Sequence, residues 1–212
     1  MIIPVRQFNV SRLVSLVTPR ALAAVCLAMP LLAGCASSPS SSPYAPLTEL
    51  QRDPARAQRL TLEATEFIDS DSEQAETLLR EALTFDLYHG PAHNNLGAIF
   101  LQRGDLFSAA SEFEWARKLM PGHPDPRLNL ALTLEQAGRT DEAITTYATA
   151  LEVYPEHLPT MQALSRLRIM SGRTNDTGSE PTLAFMLDHI AMRGETDHWK
   201  SWARIQRLKL DH

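Results

Sequence analysis

The sequence predicts an all-α protein built as a solenoid of helical hairpins. Three observations carry this: a 34-residue period, a repeated order of small and large apolar residues, and glycine and proline at the corners of each repeat. The period is clearest between Gly90 and Pro155. Leu96-Gly97 aligns with Leu130-Ala131, Phe100 with Leu134, and Gly104 with Gly138. Ala109 aligns with Ala143, Phe113 with Tyr147, Ala116 with Ala150, and Pro121 with Pro155. Each residue type has a physical reason. Gly97, Ala131, Ala109 and Ala143 are small, so helix axes can approach closely. Leu96, Phe100 and Phe113 are large and fill the layer between paired helices. Gly104 and Gly138 supply the positive φ that closes a first helix. Asp105 and Asp141 follow them, where an acid suits the helix dipole and can cap the next helix. Pro121 and Pro155 end the second helices.

This period and residue order resemble the tetratricopeptide repeat (TPR), a helix–turn–helix that stacks into a solenoid. The resemblance implies two clear repeats with degenerate ones on either side. Residues 53–87 read as a degenerate first unit. Leu62 stands where Leu96 does, and Ala75, Leu79 and Ala82 stand for Ala109, Phe113 and Ala116. Its first helix matches poorly, with Glu63 at the small position and Glu66 in place of Phe100. Asp71 or Ser72 is expected to cap its second helix. The acids from Asp69 to Glu73 lack the glycine and the distal glutamate of a calcium loop, so they read as a solvated turn. Past Pro155, Leu164 and Gly172 continue the period, and Pro159 to Met170 reads as the first helix of a third unit. After the loop from Thr174 to Ser179, Glu180 to Met192 replaces its second helix. Thr196 to Leu210 is a final amphipathic helix, with Trp199, Trp202, Ile205 and Leu208 spaced as one face.

Before the array, Arg6, Arg12 and Arg20 precede an apolar run from Ala21 to Ala33, and no acid occurs before Glu49. The run is short for a membrane span, which takes about 20 residues, and suits a secretion signal. Leu32-Ala33-Gly34-Cys35 resembles the lipobox of bacterial lipoproteins. That resemblance implies cleavage before Cys35 and diacylglyceryl and acyl (palmitate) modification there. Ala36 follows, rather than an aspartate, which implies the outer membrane, facing the periplasm. An ordinary cleaved signal or an uncleaved anchor is the alternative. Residues 36–48 form a Ser/Pro tether. The expected organisation is a lipoprotein signal at 1–34, a lipidated cysteine and tether at 35–52, a TPR array at 53–172, and C-terminal capping helices at 173–212.

The chain carries 20 basic and 25 acidic side chains, a net charge of −5. Loss of residues 1–34 removes three arginines and no acid, moving it to −8. That argues against bulk nucleic-acid binding, which wants a basic surface. Cys26 and Cys35 are the only cysteines, so no intrachain disulfide is expected after cleavage. Of seven histidines, His89, His123 and His157 recur at the 34-residue step. Stacked units stand roughly 10 Å apart, too far to share one zinc with bonds of about 2 Å. His89 and His93 are four apart, but Gly90-Pro91 intervene, so they are not expected to share a helical face. The histidines read as turn and capping residues. With no nucleophile–base arrangement and no phosphate-cradling loop, neither an enzyme nor a cofactor is expected.

What remains is a binding surface. Carried over position by position, the TPR pattern implies a groove lined by Asn94, Ala98, Leu101 and Gln102 in one unit. Leu128, Leu132, Glu135 and Gln136 are their counterparts in the next. Phe67, Arg166 and Ile169 extend it. Some TPR families clamp a peptide's terminal carboxylate there with lysine, arginine and asparagine. Here Asn94, Asn95, Asn129 and Arg166 are present and the lysines are missing, so an amphipathic helix or an extended peptide fits better. Either a partner protein or the chain's own C-terminal helices could fill this groove. The leading functional expectation is a membrane-anchored adaptor or assembly scaffold of the bacterial envelope. It resembles the TPR lipoproteins that assist secretin assembly or scaffold cell-wall enzymes. The alternatives are a periplasmic metal-handling or catalytic protein on a helical support, and a self-associating structural element.

Overall fold

A computed structural model of the chain describes residues 52–174 and 181–210. The signal, Cys35 and most of the tether therefore lie outside the described residues, as does most of the loop before the last two helices. Every regular element described is an α-helix. In order they are α1 (Pro54–Phe67), α2 (Ser72–Phe85), α3 (Gly90–Gln102), α4 (Leu106–Leu119), α5 (Asp125–Gln136), α6 (Thr140–Val153), α7 (Leu158–Met170), α8 (Leu183–Arg193) and α9 (Asp197–Leu210). They pair as hairpins, α1 with α2, α3 with α4, α5 with α6 and α7 with α8, and α9 packs on α8. The first helices α1, α3, α5 and α7 also touch one another across successive hairpins, more than the second helices do. The row of first helices is therefore the inner, concave layer.

The corner chemistry repeats with the period. Gly104, Gly138 and Gly172 have φ of 78°, 74° and 72°. Each lies in a Schellman closure, in which the following N–H reaches back across the helix end: Asp105 to Phe100, Arg139 to Leu134 and Arg173 to Arg168, at 3.0, 2.9 and 2.8 Å. In the first unit Ser70 stands at that corner without positive φ, and Asp71 N–H donates to Phe67 instead. Asp53, Asp71 and Asp105 cap α1, α2 and α4 by accepting the N–H of Arg56, Gln74 and Ser108. Asp141 does not cap. Arg139 occupies the N-cap of α6 and makes no side-chain cap bond, which places Asp141 inside the first turn. There Asp141 pairs with Arg173 of the next corner.

The small positions are small for a measurable reason. A Cβ added at Gly97 would stand 2.7 Å from Cε1 of Phe113, a ring with no solvent exposure. Gly97→Ala is therefore expected to destabilise the protein by up to about 2 kcal/mol. Overpacking costs about 1–3 kcal/mol, and the helix-propensity gain of about 1 kcal/mol offsets only part of it. A chemical denaturation curve would read this, and an increase in stability would show that the ring yields freely.

The core divides into two clusters. One lies among α1, α2 and α3 and holds Ala57, Ala75, Leu79, Leu96 and Ile99. The other runs from α4 to α9 through Phe113, Tyr147, Leu164, Met186 and Ile190. Phe100 packs against both.

Two helices, α1 and α9, depart from the sequence expectation. Leu62 does not fill a core layer: it is 56% exposed, whereas Leu96, Leu130 and Leu164 are buried at 1%, 6% and 0%. Leu96 is covered by the preceding hairpin, and no helix precedes α1 among the described residues. Instead α1 buries Ala57, Thr61 and Ala64. In α9, Trp199 and Trp202 pack on the core edge-on to each other, with Ala203 fully buried between neighbouring turns. Ile205 and Leu208 point outward. Between α7 and α8, the buried Arg168 sends Nη1 to the carbonyl of Pro181. No helix among the described residues is long and apolar enough to cross a membrane.

Candidate functional site

The concave layer carries the residues expected to line a groove. Ala98 and Leu101 of α3, Leu128 and Leu132 of α5, and Ile169 of α7 are half-buried, resting on the large core cluster with their outer surfaces open. Gln102 and Gln136 are exposed at the ends of α3 and α5. Phe67, half-buried at the end of α1, rests on the smaller cluster. The C-terminal helices stack on the end of the row, α8 on α7 and α9 on α8, and neither packs along α3 or α5. Of the two occupants open from the sequence, the chain's own C-terminal helices are thus placed elsewhere.

The polar residues of this layer join one first helix to the next. Asn129 Nδ2 donates to Asn94 Oδ1 at 3.0 Å, linking α5 to α3. Glu135 accepts from Tyr147 Oη at 2.9 Å and from Arg166 at 2.7 Å, linking α5, α6 and α7. Burial, then the charge and hydrogen bond of Glu135, push the Tyr147 hydroxyl above the ordinary tyrosine range, so it stays a donor. Arg166 is already neutralised by Glu135, and Asn94 Oδ1 is already engaged by Asn129. This leaves no unpaired cation among the expected clamp residues, which disfavours recognition of a bare carboxylate. Glu135 and Arg166 are both expected on this surface from the sequence, whereas Tyr147, aligned with Phe113, adds a hydrogen bond to core packing. The signal was a tyrosine where the preceding unit has Phe113, since a buried hydroxyl needs a partner.

The histidines sit differently from one another. His89 and His157 occupy the N-cap positions of α3 and α7 but make no side-chain cap bond. His157 instead bonds Thr160. His123 is exposed. His93 is neither a turn nor a capping residue: α3 begins at Gly90, so Gly90-Pro91 form its first turn rather than a break. The His93 ring is buried against Trp115, with Nδ1 2.6 Å from Glu112 and Nε2 donating to the Leu87 carbonyl at 2.9 Å. Among the described residues, no three His, Cys, Asp or Glu side chains gather as a metal-binding group.

The joint between α2 and α3 is tuned electrostatically. Burial disfavours a charge on Asp86. The Arg52 hydrogen bond and charge, with the Tyr88 N–H, outweigh it and hold the carboxyl below the usual range. Burial also pushes His89 below the usual histidine range, against the pull of Asp86. Both lowered values act with the same sign. The unfolded chain takes up a proton at His89 below about pH 6.5, while the folded chain resists, so stability is lost as pH falls. Asp86 adds to the loss at more acidic pH. Melting at pH 7.5 and 5.0 is expected to show a lower midpoint at pH 5.0, and His89→Gln should narrow that gap. An unchanged gap would exclude His89 as its source.

Residues 100–168 match the tetratricopeptide repeat family model. The fold is a TPR solenoid. A tetratricopeptide repeat protein from Parabacteroides merdae superposes with a TM-score of 0.59 at 20% identity, covering 74% of this chain and 60% of that one. The first TPR of Spaghetti (RPAP3), bound to the HSP90 peptide SRMEEVD, gives 0.54 at 14% identity, covering 58% of this chain and 98% of that one. In sequence, the chain is 24% identical over 98 residues to tetratricopeptide repeat protein 8 of Mus musculus. That match covers 46% of this chain, and this chain spans about a fifth (19%) of that relative's length.

Proposed function

We propose that the protein is a membrane-anchored TPR lipoprotein of the bacterial envelope that docks a partner protein in its concave groove. It would act as an adaptor or assembly scaffold rather than as an enzyme. The observation that carries this reading is the open, half-buried row of Ala98, Leu101, Leu128 and Leu132 along α3 and α5. Such a row offers pockets to alternate apolar side chains of an extended peptide, or to the apolar stripe of a helix. Asn94, Asn129, Glu135 and Arg166 supply polar contacts beside it. A peptide bound to a neighbouring TPR of the same fold supports this use of the surface. The pairing of Arg166 with Glu135 argues for an internal segment rather than a chain terminus.

The anchor rests on Leu32-Ala33-Gly34-Cys35 at the end of an apolar run, followed by a Ser/Pro tract. Two acyl chains would hold the protein stably, at about 0.8 kcal/mol per buried methylene. The outer membrane is the proposed location, with the array facing the periplasm. The test is crosslinking in living cells, purification through the array, and identification of what comes with it. A small reproducible set of envelope proteins supports the reading, and a soluble cytoplasmic set would overturn the location. Fatty-acid labelling of wild type and Cys35→Ala separates the anchor from the groove, because only the wild type should take up label.

A further inference from the structure

The two ends of the solenoid differ in charge. Residues 52–86 carry nine acidic and four basic side chains. Residues 183–210, which hold α8 and α9, carry five basic and three acidic, four of the basic ones on α9. At the first end, the counterparts of the residues that seat α3 on its predecessor are Gln58, Leu62, Thr65 and Glu66, all exposed. Three are polar, so Leu62 stands as a lone apolar knob, with Glu63 and Glu66 beside it. At the other end, a cleft of ≈ 340 Å³ lies between α8 and α9, with Ala191 and Leu208 as its apolar part and Arg204, Arg207 and Asp188 at its rim. Asp188 is paired with Arg207. Leu208 and Ile205 are 64% and 53% exposed.

We infer that copies of this chain associate head to tail, with Leu62 of one copy entering the α8–α9 cleft of the next. Glu63 and Glu66 meet Arg204 at its rim. The contact is heterologous, because knob and cleft are different surfaces of one molecule. It therefore propagates into a row instead of closing as a two-fold dimer. It leaves the groove on α3 and α5 free, so the row would present one groove per copy. An apolar contact centred on one leucine is weak, and opposite charges steer it, so association depends on concentration and falls with salt.

The test uses the full chain in mild detergent, measured by sedimentation across concentration at low and high salt. Wild type is expected to form concentration-dependent oligomers that shrink at high salt. Leu62→Asp removes the knob, and Arg204→Glu with Leu208→Asp removes the cleft. All three positions are exposed, so circular dichroism should show unchanged helix content. Each variant alone is expected to be monomeric. Mixed together, they keep one intact knob and one intact cleft, and should form a 1:1 pair that grows no further. A wild type that stays monomeric at every concentration overturns the inference, as does oligomerisation that survives in both variants. Mixed phosphatidylcholine–phosphatidylglycerol vesicles are the second probe. A Cys35→Ala chain that stays monomeric but binds them, and loses that binding when Leu208→Asp is added, would overturn the inference and assign the α9 face to a lipid surface instead.

Discussion

Replacing Tyr147 with alanine is expected to cost about 3–5 kcal/mol, the usual penalty for truncating a fully buried aromatic ring. Tyr147 has no solvent exposure and sits in the larger cluster between α5, α6 and α7. At a few degrees per kcal/mol, the melting midpoint should fall by roughly 10 °C. Tyr147→Phe separates ring from hydroxyl. It keeps the packing and loses one hydrogen bond to Glu135, which Arg166 still holds. Its expected cost is about 0.5–1.5 kcal/mol. If the phenylalanine variant lost as much as the alanine one, the hydroxyl rather than the ring would be the main support of this joint.

Changing Leu101 and Leu132 together to aspartate is expected to abolish partner capture. The two leucines belong to neighbouring first helices and rest half-buried on the larger cluster. A docked segment would seat apolar side chains there, and a carboxylate at each position would have to be desolvated without a partner. Losing anchors of this kind typically costs 2 kcal/mol or more each, roughly 30-fold in affinity per site. Because both side chains keep an open surface, the helices should survive, and circular dichroism would confirm it. A folded double variant that still captures every crosslinked protein would move the docking surface away from α3 and α5.

Much of this molecule is legible in its sequence because its units are copies. The 34-residue step located α3 to α6, the glycines that need positive φ, and the prolines that follow the second helices. Legibility failed where the step no longer describes the surroundings. Leu62 aligns with Leu96, yet what buries Leu96 is the preceding hairpin, a neighbour that periodicity cannot supply. The face of α9 was misjudged for a geometric reason. Trp199, Trp202, Ile205 and Leu208 are each three apart, and at 3.6 residues per turn such a series walks around the helix. Leu208 ends up nearly opposite Trp199, and Ala203 takes the inward place. The Asn94–Asn129 and Glu135–Tyr147–Arg166 pairings join residues 12 to 35 apart. The residues were legible as groove or core candidates, but their mutual choice depends on how far each hairpin turns against the next. The binding role of the groove itself rests on the capture experiment above.

The division of the core at Phe100 has a mechanical consequence. An array whose hairpins touch mainly their neighbours comes apart unit by unit rather than all at once. With the apolar core of α1 to α3 separate from the rest, tension applied at the amino terminus should peel α1 and α2 away first. The helices carrying Leu101 and Leu132 would remain folded. A protein pulled from that end would thus lengthen by one hairpin while its hold on a partner persisted, a fuse placed between the point of load and the grip.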